Sequence, residues 1–111
     1  MTVKELMERA EFTVINQGDD LSKVITKPFC CDLLSIAMSK LPAGGAWVTV
    51  MGNMNTLAVA TLTEAACVIL AEDIQLDGPA QAKAQSEGAT VLGTALPIFE
   101  AAALIQQLLL A

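Results

Sequence analysis

The sequence predicts a three-layer α/β domain built on a mainly parallel sheet, and three observations carry that reading. From Trp47 onward, short runs rich in β-branched residues alternate with helical patterns in the order strand, helix, strand, helix, strand, helix. The runs Ala46–Met51, Cys67–Ala71 and Thr90–Thr94 are mostly apolar without alternation, as strands covered on both faces must be. Their connections are short, which suits right-handed crossovers between parallel neighbours. A length of 111 residues predicts a single domain over residues 1–111, with enough chain to bury a core of its own.

The elements follow in order. Thr2 is placed to cap a first helix, Glu5 completes a capping box, and Val3, Leu6, Met7 and Ala10 recur at helical spacing. Phe12–Ile15 reads as a strand closed by the turn residues Asn16 to Asp20. A second short strand is expected at about Lys23–Thr26, before Pro28; the two strands either pair as a hairpin or lie apart in the sheet. Asp32 is expected to cap a helix carrying Leu33, Leu34, Ile36, Ala37, Met38 and Leu41, which ends before Pro42. The strand Ala46–Met51 leads through the turn Gly52–Asn55 into a helix from about Thr56 to Ala65, where Ala58, Ala60 and Ala65 permit close packing. Glu72 and Asp73 stand at the carboxyl end of the next strand, Cys67–Ala71. Pro79 opens a helix that runs to Glu87 and stops at Gly88, and Pro97 opens the last one, Ile98–Leu110.

Composition narrows the function. An average soluble domain is about 25% charged, whereas only 16% of this chain is charged and 54% is hydrophobic. The surface is therefore short of charge, and part of it is expected to be covered. The last helix is apolar around nearly its whole circumference, from Ile98 and Phe99 to Leu108, Leu109 and Leu110. A sheet covers one side of such a helix, so a second copy is expected on the other, giving a homodimer with the Ala-rich helix as a further contact.

Six basic residues against twelve acidic ones, without a basic run, exclude an electrostatic grip on nucleic acid. No stretch approaches the roughly 20 apolar residues of a membrane span. No signal-type apolar region opens the chain, and a cytoplasmic location is the expectation. There is no His, so His-based triads and His-ligated zinc are excluded and no metal site is expected. Three Cys, two of them adjacent, fit reduced thiols better than a disulfide framework.

Neither phosphate-loop signature occurs, so a phosphoryl-transferring P-loop is not encoded. In parallel sheets ligands bind beyond the carboxyl ends of the strands, where helix N-termini expose free N–H groups. That rule selects Gly52, Asn53, Asn55, Glu72, Asp73 and Thr94 as candidate ligand-binding residues. Each also has a plainer reading: Asn53 or Asn55 as a helix cap, Gly52 as a turn, Glu72 and Asp73 as a solvated strand end. Cys30, Cys31, Asp32 and Ser35 form a secondary cluster, but without His no base is present to activate Ser35 or a thiol. No residue set amounts to a catalytic constellation.

The order of motifs resembles a known family. The run Lys27-Pro28-Phe29-Cys30-Cys31-Asp32-Leu33-Leu34-Ser35-Ile36-Ala37-Met38 is followed by Ala46-Trp47-Val48-Thr49-Val50, then Asn55-Thr56-Leu57-Ala58-Val59-Ala60, then Cys67-Val68-Ile69-Leu70. That succession, from Val3 to Leu109, resembles the short stand-alone members of the DRTGG-domain family. The resemblance implies a fold related to the N-terminal domains of HPr kinase and of MurF-type ligases. It implies a regulatory or oligomerising module, since longer members join such a domain to CBS pairs or phosphotransacetylase-type enzymes. Short members are often encoded beside iron-hydrogenase and electron-transfer subunits. The letters Asp-Arg-Thr-Gly-Gly are themselves absent: Gly52-Asn53-Met54 aligns with the Asp-Arg loop, and the Thr-Gly-Gly falls near Ala71-Glu72-Asp73. Asn53 also stands where short relatives commonly carry His.

The function expected is non-enzymatic regulation or ligand sensing, with a nucleotide as candidate ligand near Gly52–Asn55. The alternative is an accessory subunit of an iron-hydrogenase or electron-transfer complex, in which Cys30, Cys31 and the apolar surface meet the partner.

Overall fold

The computed structural model describes residues 1–111. Its elements are α1 (Val3–Met7), β1 (Thr13–Asn16), β2 (Lys27–Cys30), α2 (Leu34–Lys40), β3 (Gly45–Thr49), α3 (Met54–Leu62), β4 (Cys67–Leu70), α4 (Gly78–Glu87), β5 (Val91–Gly93) and α5 (Ile98–Leu110). The strands form one sheet in the order β1-β5-β4-β3-β2. β2, β3, β4 and β5 run parallel, and β1 pairs antiparallel with β5. This is the three-layer α/β architecture expected from the alternation.

Two apolar clusters explain the layers. Val3 and Leu6 of α1 and Ala101 and Ile105 of α5 pack on Ala46, Val48, Cys67, Ile69 and Leu92. On the opposite face, Ala37 of α2, Leu57 and Ala60 of α3, and Ala80 and Ala84 of α4 pack on Trp47, Val68, Leu70 and Val91. Successive residues of a strand point to opposite faces, so the unbroken apolar runs of β3 and β4 feed both clusters. Every residue of both strands is buried. Losing the Trp47 side chain would remove roughly 3–5 kcal/mol. Its indole N–H also donates to the Cys31 carbonyl at 2.9 Å, which fastens the chain leaving β2 to β3.

The capping box of α1 is present: the Glu5 N–H donates to Thr2 Oγ1 at 3.2 Å and the Thr2 N–H to Glu5 Oε1 at 2.9 Å. Three expectations are corrected. Lys23–Thr26 forms no sheet strand; Val24 makes an isolated bridge with Thr2, and the strand lies at Lys27–Cys30. Pro28, expected to follow the strand, lies within it and is tolerated because β2 is an edge. β1 and β2 therefore occupy opposite edges of the sheet. Asp32 does not cap α2, whose N-cap is Leu33 with no side-chain bond. α3 begins at Met54 rather than Thr56, with Asn53 as its cap through a 3.1 Å bond from the Thr56 N–H.

The last helix meets its own domain more fully than its composition implies. α5 packs across β2 and β3, burying Ala101 and Ile105 completely. Its exposed remainder includes Phe99 and Leu110, 76% and 77% accessible. The Ala-rich α3 is flanked by α2 and α4 and buries Thr56, Leu57, Val59 and Ala60, so much of the expected second contact surface is covered within the chain.

Three non-glycine residues have left-handed backbone: Glu64, Glu72 and Asp73, with φ of 60°, 59° and 58°. Glu64 follows the C-cap of α3, where Ala65 N–H bonds Ala60 O and Glu64 N–H bonds Thr61 O. This is the pairing of a Schellman motif. α4 ends in the same way at Gly88, a residue suited to φ of 64°. An L-residue in this region costs roughly 1–2 kcal/mol, partly offset on replacement by the extra freedom glycine has when unfolded. Glu64→Gly and Glu72→Gly are each expected to raise stability by about 0.5–1 kcal/mol, and Glu64→Val to lower it; urea denaturation of the three variants checks this.

Burial pushes the Cys67 thiol up to about 12, with the Lys23 ammonium lowering it by a lesser amount. An unfolded thiol ionises near 8.5, so between that pH and about 12 the native chain keeps a proton that the unfolded chain releases. The stability contributed by the neutral thiol is complete below the unfolded value and is lost as pH rises towards the native one. Between pH 8 and 10 that loss is expected to reach about 1–2 kcal/mol in the parent and to vanish from the slope in Cys67→Ala, as read by urea denaturation at each pH.

Candidate functional site

Parallel strands place all their carboxyl ends at one pole of the sheet. Here that pole gathers Asp32 after β2, Gly52 and Asn53 after β3, Glu72 and Asp73 after β4, and Thr94 after β5. The helices after β2, β3, β4 and β5 start there, so their N-terminal N–H groups and partial positive charge face the same side.

The chain also changes faces at this pole. After β4 it enters α4 on one face of the sheet, and after β5 it enters α5 on the other. Adjacent strands whose exits diverge in this way create the crevice that α/β proteins use for ligands. In this molecule the crevice is closed by backbone. The Glu72 N–H donates to the Leu96 carbonyl at 3.1 Å and the Asp73 N–H to the Thr94 carbonyl at 2.9 Å. The Ile74 N–H turns back to Ala71 O, and Thr94 Oγ1 accepts from the Leu96 N–H. The amides of Glu72 and Asp73 are thus already bonded, and the two residues add exposed carboxylates to this pole. An anion finds neither free donors nor favourable charge at this point.

Free donors remain in the first turns of the helices that start here, α3 among them. Asn53 has the plainer role foreseen for it, since its side-chain oxygen accepts from the Thr56 N–H. The N–H groups of Met54 and Asn55 belong to the first turn and have no helical partner. Asn55 is exposed on this turn. Gly52 is held by close approach: a Cβ there would stand 2.4 Å from the Gln75 carbonyl oxygen, and the Gly52 carbonyl accepts from the Asp77 N–H. The loop after β4 therefore braces the loop after β3.

Asp32 belongs to this pole rather than to a thiol cluster. Its carboxylate accepts a 2.6 Å bond from Thr49 Oγ1 and a 3.3 Å bond from the Val50 N–H. Thr49 is fully buried, and its hydroxyl in turn accepts from the Met51 N–H. Sequence inspection missed Thr49. The available signal was a hydroxyl at the end of a strand covered on both faces, which requires a partner. Cys30 pairs beside Val48 and faces the α5 layer, whereas Cys31 packs with Phe29 and Leu34 in the α2 layer. The two thiols point to opposite sides, and Ser35 stands exposed on α2. The secondary cluster thus does not converge. Burial and the neighbouring Asp32 carboxylate push the Cys30 thiol up, away from the reactive thiolate.

The molecule's cavity, of about 350 Å³, lies at the opposite, amino pole. Its floor is Cys67, Val68 and Thr90 at the starts of β4 and β5, and Glu64 and Lys23 contribute to its lining. None of the residues selected from sequence lines it. No three His, Cys, Asp or Glu side chains gather closely enough to hold a metal ion. No helix is long and apolar enough to cross a membrane.

No protein-family model matches the chain, and no curated protein does. Among solved structures, it is similar to the CBS and DRTGG domains of the regulatory region of Clostridium perfringens pyrophosphatase, crystallised with the activator diadenosine tetraphosphate. The TM-score is 0.76 and the identity 13%, over 96% of this chain and 46% of that one. The chain therefore spans less than half of that structure, and the likeness is one of fold.

Proposed function

We propose that the chain is a regulatory, ligand-sensing domain of the DRTGG type that binds a nucleotide at the carboxyl pole and acts as a homodimer. The observation that carries the reading is the fold, shared across nearly the whole chain with a regulatory region that was crystallised with a dinucleotide activator. The arrangement of side chains agrees with sensing. The buried Thr49 hydroxyl is held by the exposed Asp32 carboxylate instead of forming a nucleophile with a base.

The phosphates of the ligand would meet the first turn of α3, where the amides of Met54 and Asn55 are free and the helix dipole is favourable. Base and ribose would extend towards Asp32. The crevice between the loops after β4 and β5 is the element whose opening a ligand could bias, because a few backbone bonds between Glu72–Asp73 and Thr94–Leu96 hold it closed. Sensing requires that the ligand bind one of these two arrangements more tightly than the other.

The dimer would form through α5. Phe99, Ala103, Gln106 and Leu110 repeat at spacings of four, three and four residues on its outer side, the rhythm of a coiled-coil seam. Phe99, Gln106 and Leu110 are exposed.

Thermal denaturation with ATP, AMP and diadenosine tetraphosphate tests the ligand. A nucleotide at 100 times its dissociation constant is expected to add about 2.7 kcal/mol, a rise on the order of 10 °C. Asn55→Asp, which sets a carboxylate against the phosphates at an exposed position, should abolish the rise; a flat response to all three compounds would refute the nucleotide. Light scattering at micromolar concentration is expected to give twice the 11.6 kDa chain mass. Phe99→Glu with Leu110→Glu should return the chain mass without loss of fold, and a parent protein already monomeric would exclude the dimer.

A further inference from the structure

The outer side of α5 carries a pattern that fits a second copy of itself in one direction better than in the other. Phe99 and Leu110 are the two most exposed large apolar side chains of the molecule, at 76% and 77%. Ala103 and Gln106 lie between them on the same side, and the spacings of four, three and four residues read the same from either end. A helix laid antiparallel on its copy therefore stays in register along the whole seam. Phe99 then stands opposite Leu110 of the second copy, and Ala103 opposite its Gln106, so every layer joins a larger side chain to a smaller one. In a parallel pair Phe99 meets Phe99 and Ala103 meets Ala103, a wide layer beside a narrow one, which works against close packing.

The flanks of the seam discriminate independently. Glu100 is the one charged residue of α5, and Gln107, about two turns further on, lies on the same flank. Both are exposed, and neither side chain has a hydrogen-bond or salt-bridge partner within the chain. Ala102 and Leu109, both half-buried, occupy the opposite flank. In an antiparallel pair each flank faces its own copy, whereas in a parallel pair it faces the other flank. The antiparallel arrangement thus lets the Glu100 carboxylate accept from the carboxamide N–H of the second copy's Gln107, twice by symmetry. The parallel one turns that carboxylate towards apolar Ala102 and Leu109. It also aligns two helix dipoles side by side, while the antiparallel one opposes them.

We infer that α5 pairs with α5 of a second copy in the antiparallel sense, about a two-fold axis level with Leu104 and Ile105. This rests on the homodimer proposed above and fixes its geometry. Each carboxyl pole then lies towards the partner's amino pole, so the two proposed ligand sites open in opposite directions.

Isotope-filtered NMR on a mixture of labelled and unlabelled intact chains tests the pairing. Within one helix Phe99 and Leu110 are about 16 Å apart, beyond the reach of a nuclear Overhauser effect, so a cross-peak between the Phe99 ring and the Leu110 methyls reports the second copy. That cross-peak is expected. Sedimentation equilibrium reads the flank: Gln107→Lys, facing Glu100 of the second copy, is expected to tighten the dimer about threefold or more, and Gln107→Glu to loosen it by as much. A dimer showing Phe99–Phe99 and Leu110–Leu110 cross-peaks instead, or an unchanged dissociation constant in both variants, would overturn the antiparallel pairing alone. Monomer mass by light scattering would overturn the homodimer reading and the pairing with it.

Discussion

The structure depends on the burial of β3 and β4 on both faces. No side chain of either strand reaches water, so neither face tolerates an unpaired polar group, and both helical layers must be present for the sheet to persist. Thr49 is the polar exception at the end of β3, and its hydroxyl determines where Asp32 goes. The carboxylate that sequence spacing offers to the start of α2 is instead drawn to a buried donor. Together with the Trp47 bond to Cys31, this anchors the edge strand and the helix that follows it. One demand, satisfaction of a doubly covered strand, thus sets the position of β2, the entry into α2 and the acidic character of the carboxyl pole.

The parts of the fold that were legible in the sequence rest on local periodicity and local caps. The capping box at Thr2 and Glu5, the stop at Gly88 and the apolar runs of β3, β4 and β5 are each written within a few residues, and the molecule retains them. What was not legible is nonlocal. Pro28 can lie in a strand only because the strand is an edge, and strand order is not a local property. Asp32 and Thr49 are 17 residues apart in sequence and meet only when β2 pairs with β3. The candidate site shows the same division. The residues chosen by the carboxyl-end rule do gather at one pole, yet nothing in their sequence reveals that the amides of Glu72 and Asp73 are taken by Leu96 and Thr94. The cavity was invisible for a related reason: residues from at least four separate segments build it, with Glu64 and Lys23 far apart in the chain.

Parallel topology gives the molecule two electrically different ends. Helix N-termini meet at the carboxyl pole, and the C-termini of α3 and α4 meet beside the cavity. Side-chain charge opposes the dipoles at the first end, through Asp32, Glu72 and Asp73, whereas at the second Glu64 and Glu87 stand beside Lys23 and Lys83. An anion at the carboxyl pole must therefore be located by directed N–H groups at the helix starts, since the surrounding side-chain charge does not attract it.

The three left-handed acidic residues connect these ends to the energetics of the fold. Glu72 and Asp73 occupy adjacent left-handed positions in the turn that allows the loop after β4 to pair with the segment after β5. At Glu72 and Asp73 the chain adopts a glycine-like backbone and adds two carboxylates. The strain is offset in part by the two backbone bonds that the turn makes to the Thr94 and Leu96 carbonyls. Replacing either acid by glycine would favour the closed form. The strained pair is kept at the expense of stability that a glycine pair would restore.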